Sequence, residues 1–318
     1  MSSVAVIGLG LIGGSLLRAL AGPAVGYDAD PQVRAAARAA GFVVADTLNG
    51  AIAERDVVVV ATPIPAVGPV FDAIAASARP DTIVTDVASV KAPVRGLAAR
   101  ALPGLRYVGG HPMAGTERSG WQAADPALFG GAAWVLCLEP DTDVAAWGEI
   151  ASIVLGLGAR VVPATAVEHD DAVARVSHLP HLFAAVLAAG VASRPLARTL
   201  AAGSFRDATR VASTRAELTI AMCTANTEAL APVIDAAVRR VSRAGSGDAG
   251  AAAALIESGH RARAAMDSAP RPAHRSIAAG DRDGLLALGR DGGWLVARVH
   301  TGWLGHLGPP WQHPRTEG

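Results

Sequence analysis

Two textures of apolar and polar positions divide this 318-residue chain. Up to about Pro163, short runs rich in valine and isoleucine (SVAVIG, AVGYD, DVVVVATP, TIVTDV, RYVGG, AAWVLCLE, ARVVPAT) alternate with alanine-rich stretches of helical period. Runs that are apolar at successive positions suit strands buried on both faces, so the alternation predicts a doubly wound parallel sheet, an α/β fold. After Ala164 the β-branched runs stop. AVEHDDAVARVSHLPHLFAAVLAAG, ELTIAMCTANTEALAPVIDAAVRRVSRA and AGAAAALIESGHRARAAM carry the helical period instead and predict an all-α second domain. From about Pro270 the chain turns rich in Pro, Gly, His and Trp; GWLVARVH predicts a stray strand and GPPWQHPRTEG a loose end. The expected division is therefore 1–163, 164–290 and a C-terminal tail, 291–318.

Composition narrows the function. With 51% hydrophobic and 18% charged residues the chain can bury a sizeable core, which argues against disorder. A formal net charge of +0 leaves no electrostatic footprint for nucleic acid, so a small-molecule partner is expected. Cys137 and Cys223 lie far apart and belong to no ligand pattern, so both are expected as reduced core residues, with no metal site. The chain opens directly into a strand pattern without a basic leader, and no apolar run is expected to cross a membrane. A cytoplasmic location is the expectation.

The first motif with chemistry in it is VAVIGLGLIGGSL. Gly8, Gly10 and Gly13 make GxGxxG between a strand and a helix, and Asp28 ends the next strand about twenty residues on. Glycines let the backbone approach a pyrophosphate seated on the helix N-terminus, while the carboxylate accepts from an adenosine ribose diol. This makes the first domain Rossmann-type and the cofactor NAD, since Asp28 repels a 2'-phosphate and Arg34 is expected too far along the next helix to reverse that. The expected cofactor-binding set is Gly8, Gly10, Leu11, Ile12, Gly13, Asp28, Thr62 and Pro63, the last two ending the strand VVVVATP.

Further candidates stand at later strand ends, where an open parallel sheet places its ligand. TIVTDVASVK ends in Ser89 and Lys91. Lys91 is the chain's only lysine, which points to site chemistry, although a solvated loop charge is the plainer alternative. Ser89 suits a turn cap as well as a ligand contact. The loop GGHPMAGTERSGW follows the strand RYV and sets His111 at its carboxyl end. A histidine there can take a proton from a hydroxyl while hydride leaves the same carbon; a structural histidine fits the pattern equally. Glu117 and Arg118 fit an ordinary exposed pair. In ARVSHLPHLF, His178 and His181 stand three apart, on one helical face, and Pro180 between them predicts a kink. Metal binding is the sharper alternative, but histidines three apart without a third ligand nearby are thin evidence for it, and no metal is expected. Arg206 and Arg210 in GSFRDATRVASTR are four apart; guanidinium groups recruited to a crevice imply a carboxylate or phosphate on the substrate.

Taken in order, VIGLGLIGGSL, DVASVK, GGHPMAGTERSG, HDDAVARVSHLPHLFAAVLA, GSFRDATRVAS and Asn226 in CTANTEAL resemble the prephenate dehydrogenase family of tyrosine biosynthesis, over nearly the whole chain to about residue 290. The HPMAGTERSG and SHLPH segments are specific to that family, whereas the glycine motif is widespread. Ala88 stands where glycine is usual, Arg118 where lysine is common, and Thr219 where a tryptophan often follows. The resemblance implies NAD-dependent oxidative decarboxylation of prephenate, a dicarboxylate, to 4-hydroxyphenylpyruvate, with arogenate or an amino-substituted analogue as alternatives. It implies that His111 and Ser89 are catalytic, that Arg210 with His181 and Ser177 holds a substrate carboxylate, and that Glu117 gates the pocket. It also implies a homodimer through the all-α domain, which then serves dimerisation and substrate binding. Another β-hydroxyacid-type NAD(P) oxidoreductase, with Lys91 as its acid or base, is the competing expectation.

Overall fold

The computed structural model describes residues 2–104, 106–116, 118–267 and 273–307. The chain forms two compact units, one running to His169 and resuming at Met266, the other comprising Asp170–Ala265.

The first unit opens with β1 (Val4–Ile7), α1 (Leu11–Ala19), β2 (Ala24–Tyr27), α2 (Pro31–Ala39), α3 (Leu48–Ile52), β3 (Val57–Val60), α4 (Ile64–Ser77), β4 (Ile83–Asp86), α5 (Ala92–Ala101) and β5 (Arg106–Val108). The strands pair in parallel in the order β2-β1-β3-β4-β5. Every residue of β1, β3 and β4 is buried, which is why β1 and β3 read as continuous apolar runs, while β4 ends in buried Thr85 and Asp86. Caps set the helix starts: Asp30 accepts from the Gln32 amide with Pro31 at the first helical position of α2.

The chain continues through β6 (Gly110–Pro112), β7 (Ala133–Cys137), α6 (Val144–Gly156), β8 (Arg160–Ala164) and α7 (Ala166–Val173). A single π-helical turn, Ala174–His178, separates α7 from α8 (Leu179–Gly190), at the place where Pro180 was expected to disturb the helix. Proline donates no amide hydrogen, and a π turn is one way a helix widens around that gap. The helical unit then runs through α9 (Pro195–Thr199), α10 (Gly203–Thr209), a 3-10 turn at Arg210–Ser213, α11 (Ala216–Ala225), α12 (Thr227–Ala244) and α13 (Ala249–Asp267). Its buried core is small, centred on Ala174, Leu230 and Val233, while Val176, Val186, Leu196, Leu200 and Ile220 are exposed.

By length and hydropathy the helical run Ala166–Gly190 is sufficient to cross a bilayer, where no such run was expected. Length and composition alone are weak grounds, and the run carries buried Asp170 and His178.

The C-terminal part departs from expectation. Residues 273–307 form β9 (Ala273–Ala278), α14 (Arg282–Arg290), β10 (Trp294–Val299) and β11 (Gly302–Leu307). They complete a second sheet in the order β6-β7-β8-β10-β11-β9. Only β7 and β8 in it are parallel; the other pairs are antiparallel. The helical unit therefore ends at Ala265 rather than 290, and 294–307 is paired strand rather than tail. Leu295 and Trp303 are buried, with the Trp303 ring edge-on to Trp147 of α6 at 5.9 Å. That apolar period of two is short and lies among glycines, histidines and arginines, so it reads weakly from sequence.

Candidate active site

The glycine turn between β1 and α1 is built for close approach. Gly8 has φ 97°, and a Cβ on it would lie 2.7 Å from the Ala61 carbonyl oxygen. A Cβ on Gly13 would lie 1.8 Å from the Gly8 carbonyl oxygen, so no side chain fits there without moving α1 off the turn. Gly10 caps α1, and a Cβ there would meet nothing within 4 Å; the helix N-terminus with Leu11 and Ile12 therefore opens onto space. The Thr62 hydroxyl, one turn away at the end of β3, is buried and has no hydrogen-bond partner among the described residues. A buried hydroxyl without a partner beside an open helix N-terminus fits a polar, anionic ligand such as a dinucleotide. Pro63 caps α4 next to it.

Asp28 ends β2 beside this turn. Its oxygens accept from the amides of Leu9, at 2.7 Å, and Asp30, at 2.9 Å. Each carboxylate oxygen has a second acceptor site, so a ribose hydroxyl can still be received. Arg34 is closer than the sequence suggested: its Nη1 donates to the carbonyls of Asp28, at 2.7 Å, and Ala29, at 3.0 Å. Winding α2 straight from the Asp30 cap turns position 34 back over the end of β2.

Lys91 is enclosed by protein groups. It is 1% exposed, its ammonium pairs with fully buried Asp86, and it donates to the Gly110 carbonyl at 2.6 Å. Asp86 also accepts from the Tyr107 hydroxyl at 2.6 Å and from the Ala88 amide at 2.8 Å. Burial, with the neighbouring Asp86 charge, pushes the Tyr107 phenol well above its ordinary range, so it stays a donor. Gly110 fits this clamp because a Cβ there would lie 2.7 Å from the Asp86 carbonyl oxygen. The chain's only lysine thus anchors the residue before His111.

His111 follows on β6, opposite Val135 of β7, and is half-buried. Its Nδ1 lies 2.8 Å from Nε2 of His169, a residue of α7 that is 2% exposed, with the rings edge-on at 5.0 Å. Sequence reasoning gave His169 no role, although it opens the segment HDDAVARVSHLPHLFAAVLA that carries the family resemblance; its partner is 58 residues away. Ser89, in the loop after β4, is half-buried and its hydroxyl makes no hydrogen bond among the described residues. Glu117 lies outside the described residues.

In the helical unit, the histidines expected as a pair take different parts. His178 is buried, and its Nδ1 accepts from Asn226, which also donates to the Asp170 carbonyl at 2.9 Å. His181 is half-buried and pairs through Nδ1 with the Ser177 carbonyl at 2.9 Å, which leaves Nε2 as its second polar atom. Arg206 lies in α10 and Arg210 opens the following 3-10 turn, so the expected shared helical face is interrupted between them. Both are exposed, and Arg206 makes no ion pair with Asp207 among the described residues. No group of three or more His, Cys, Asp or Glu side chains suited to a metal occurs among the described residues.

Comparison with known proteins gives the family. Residues 14–163 match the prephenate dehydrogenase nucleotide-binding domain and residues 165–246 the prephenate dehydrogenase dimerization domain. A cyclohexadienyl dehydrogenase of Zymomonas mobilis is 38% identical over 244 residues, 73% of this chain and 83% of that protein. A prephenate dehydrogenase of Bacillus subtilis is 34% identical over 224 residues, covering 66% of this chain and 60% of its own length. Among solved structures, a Corynebacterium glutamicum protein described as a prephenate dehydrogenase superposes with a TM-score of 0.78 at 36% identity, over 84% of this chain and 88% of that one. The Synechocystis arogenate dehydrogenase does so with 0.71 at 29%, over 82% and 99%. On the sequence motifs, the fold and these matches together, the chain belongs to the prephenate dehydrogenase family.

Proposed function

We propose that the protein is an NAD-dependent dehydrogenase that converts prephenate to 4-hydroxyphenylpyruvate by oxidative decarboxylation. The observation that carries the reading is the fixed placement of His111, on a strand whose preceding residue is clamped by Lys91 and Asp86, in a chain that belongs to this family. Bound at the glycine turn, with Gly8, Gly10, Leu11, Ile12, Gly13, Asp28, Thr62 and Pro63 around it, the cofactor supplies a hydride acceptor.

The remaining work falls to side chains. The ring carbon bearing the hydroxyl loses hydride, the hydroxyl proton passes to the imidazole of His111, and Ser89 holds the hydroxyl oxygen during the transfer. As the C–H bond breaks, the carbon–carbon bond to the ring carboxylate breaks too. Its electron pair enters the ring, CO2 leaves, and aromatisation makes the step irreversible. Arg210, with Ser177 and His181, is assigned to the side-chain carboxylate, a charge present from start to finish, so it contributes to binding more than to the chemical step. The exposed apolar residues Val176, Val186, Leu196 and Leu200 lie in the segment that matches the dimerization domain and support a homodimer through the helical unit.

The Zymomonas mobilis relative, a cyclohexadienyl dehydrogenase, favours a second reading in which arogenate is turned over as well. Initial rates of NADH formation with prephenate and with arogenate decide between them. The proposal expects prephenate to be the better substrate by kcat/KM; no NADH from prephenate would overturn it.

A further inference from the structure

Two ring nitrogens 2.8 Å apart, Nδ1 of His111 and Nε2 of His169, cannot both carry a hydrogen and cannot both present lone pairs. One donates to the other. If His169 donated, neutral His111 would carry its hydrogen on Nε2, and its only lone pair would be spent on His169, leaving it unable to accept a proton. If His111 donates through Nδ1, its Nε2 is the basic nitrogen. Only the second arrangement lets His111 act as a base.

The structure holds His169 in a way that suits an acceptor. It is 2% exposed, so water does not compete freely for its Nε2, and it sits in the first turn of α7 with its amide bonded to the Thr165 carbonyl at 2.9 Å. The neighbouring Glu168 pins that turn, accepting from the Thr165 amide and hydroxyl at 2.9 Å and from Arg290 at 2.7 Å. The edge-on rings, 74° between planes, let an in-plane N–H of one meet an in-plane lone pair of the other.

We infer that His169 is a positioning residue that fixes His111 in its Nδ1–H tautomer and aims its Nε2, an assignment that rests on the proposed role of His111 as the base. His169 touches neither substrate nor cofactor in this account, and no proton passes through it. The substrate hydroxyl proton goes to Nε2 of His111, the imidazolium keeps its Nδ1–H bond to neutral His169, and the proton later leaves to water. A hydrogen-bond partner on one ring nitrogen that sets which nitrogen carries the proton is the device used around metal-bound and catalytic histidines generally, with a carboxylate or carbonyl in the place His169 takes here.

The test reads the tautomer directly. In 15N-histidine NMR of the intact enzyme, with His111→Asn used to assign the signal, His111 should show a protonated Nδ1 and an unprotonated Nε2. His169→Gln, whose amide oxygen accepts from Nδ1–H, should retain that pattern and most of kcat. His169→Leu should shift His111 toward the Nε2–H form and lower kcat roughly ten- to a hundredfold, with KM for prephenate within about twofold. An Nε2–H tautomer in the wild-type enzyme, or a Gln variant as slow as the Leu variant, overturns the inference. The tautomer is read without turnover, so failure of the base assignment shows separately: His111→Asn would then keep its kcat although the tautomer switch is present.

Discussion

The ammonium of Lys91 and the carboxylate of Asp86 form an ion pair closed off from solvent, 1% and 0% exposed, and both partners also hold the backbone ahead of His111. Removing one partner of such a pair leaves an uncompensated buried charge, a loss of about 3–5 kcal/mol. Lys91→Met should therefore lower Tm by many degrees as well as kcat, with thermal melts and initial rates as the readouts. An acid or base role for Lys91 predicts the opposite split, a native Tm with kcat abolished.

Asp28 and Arg34 meet at the end of β2, where the proposed binding of NAD would place its adenosine ribose. A carboxylate facing a 2'-phosphate should favour NAD+ over NADP+ by about tenfold or more in kcat/KM, about 1.4 kcal/mol. The guanidinium beside it limits the preference, so Arg34→Ala should weaken use of NADP+ while leaving NAD+ nearly unchanged. Equal kcat/KM for the two cofactors in the wild-type enzyme contradicts the assignment of Asp28.

Arg210 and Arg206 offer a paired comparison. A charge-assisted bond to a substrate carboxylate held throughout the reaction contributes roughly 1.5–3 kcal/mol, so Arg210→Ala should raise KM for prephenate about ten- to a hundredfold with a smaller change in kcat. Arg206, exposed in α10, should tolerate alanine with little change in either constant. Indistinguishable KM values for the two variants would make Arg210 a surface arginine.

Acid stability has a local handle. Hydrogen bonds from the Ser3 amide, at 2.7 Å, and from Arg79, at 2.7 Å, hold the Asp56 carboxyl at about 2, below its ordinary 3.8. A lowered carboxyl pKa stabilises the fold above the unfolded value, and that stability is lost as pH falls toward 2. Asp56→Asn should melt below the wild type at pH 6, and the gap should close between about pH 4 and pH 2. The effect is modest because Asp56 is 44% exposed; a gap that persists unchanged at pH 2 contradicts it.

The parallel sheet was legible in sequence because β1 and β3 bury both faces and so appear as unbroken apolar runs, and the glycine turn because Gly8 and Gly13 leave no room for a side chain. His111 was legible as a histidine shortly after the strand Arg106–Val108, but its place in the middle of β6, in the second sheet, was not. What stayed hidden were relationships that only the fold creates: His169 against His111, Asp86 and Tyr107 beneath Gly110, and the pairing of β10 with β8 across more than a hundred residues. Lys91 shows the difference most clearly. Its uniqueness marked it as chosen, but whether it faces ligand or core depends on where Asp86 and Gly110 come to lie.

The most direct test of the account is steady-state kinetics of the wild-type enzyme and His111→Asn with prephenate and NAD+, alongside the dissociation constant for NAD+. The account predicts NADH and CO2 formed in equal amounts by the wild type, and in the variant a kcat lower by roughly a hundredfold or more with NAD+ affinity unchanged. A variant that turns over prephenate at the wild-type rate, or one that loses NAD+ binding in parallel with activity, contradicts it.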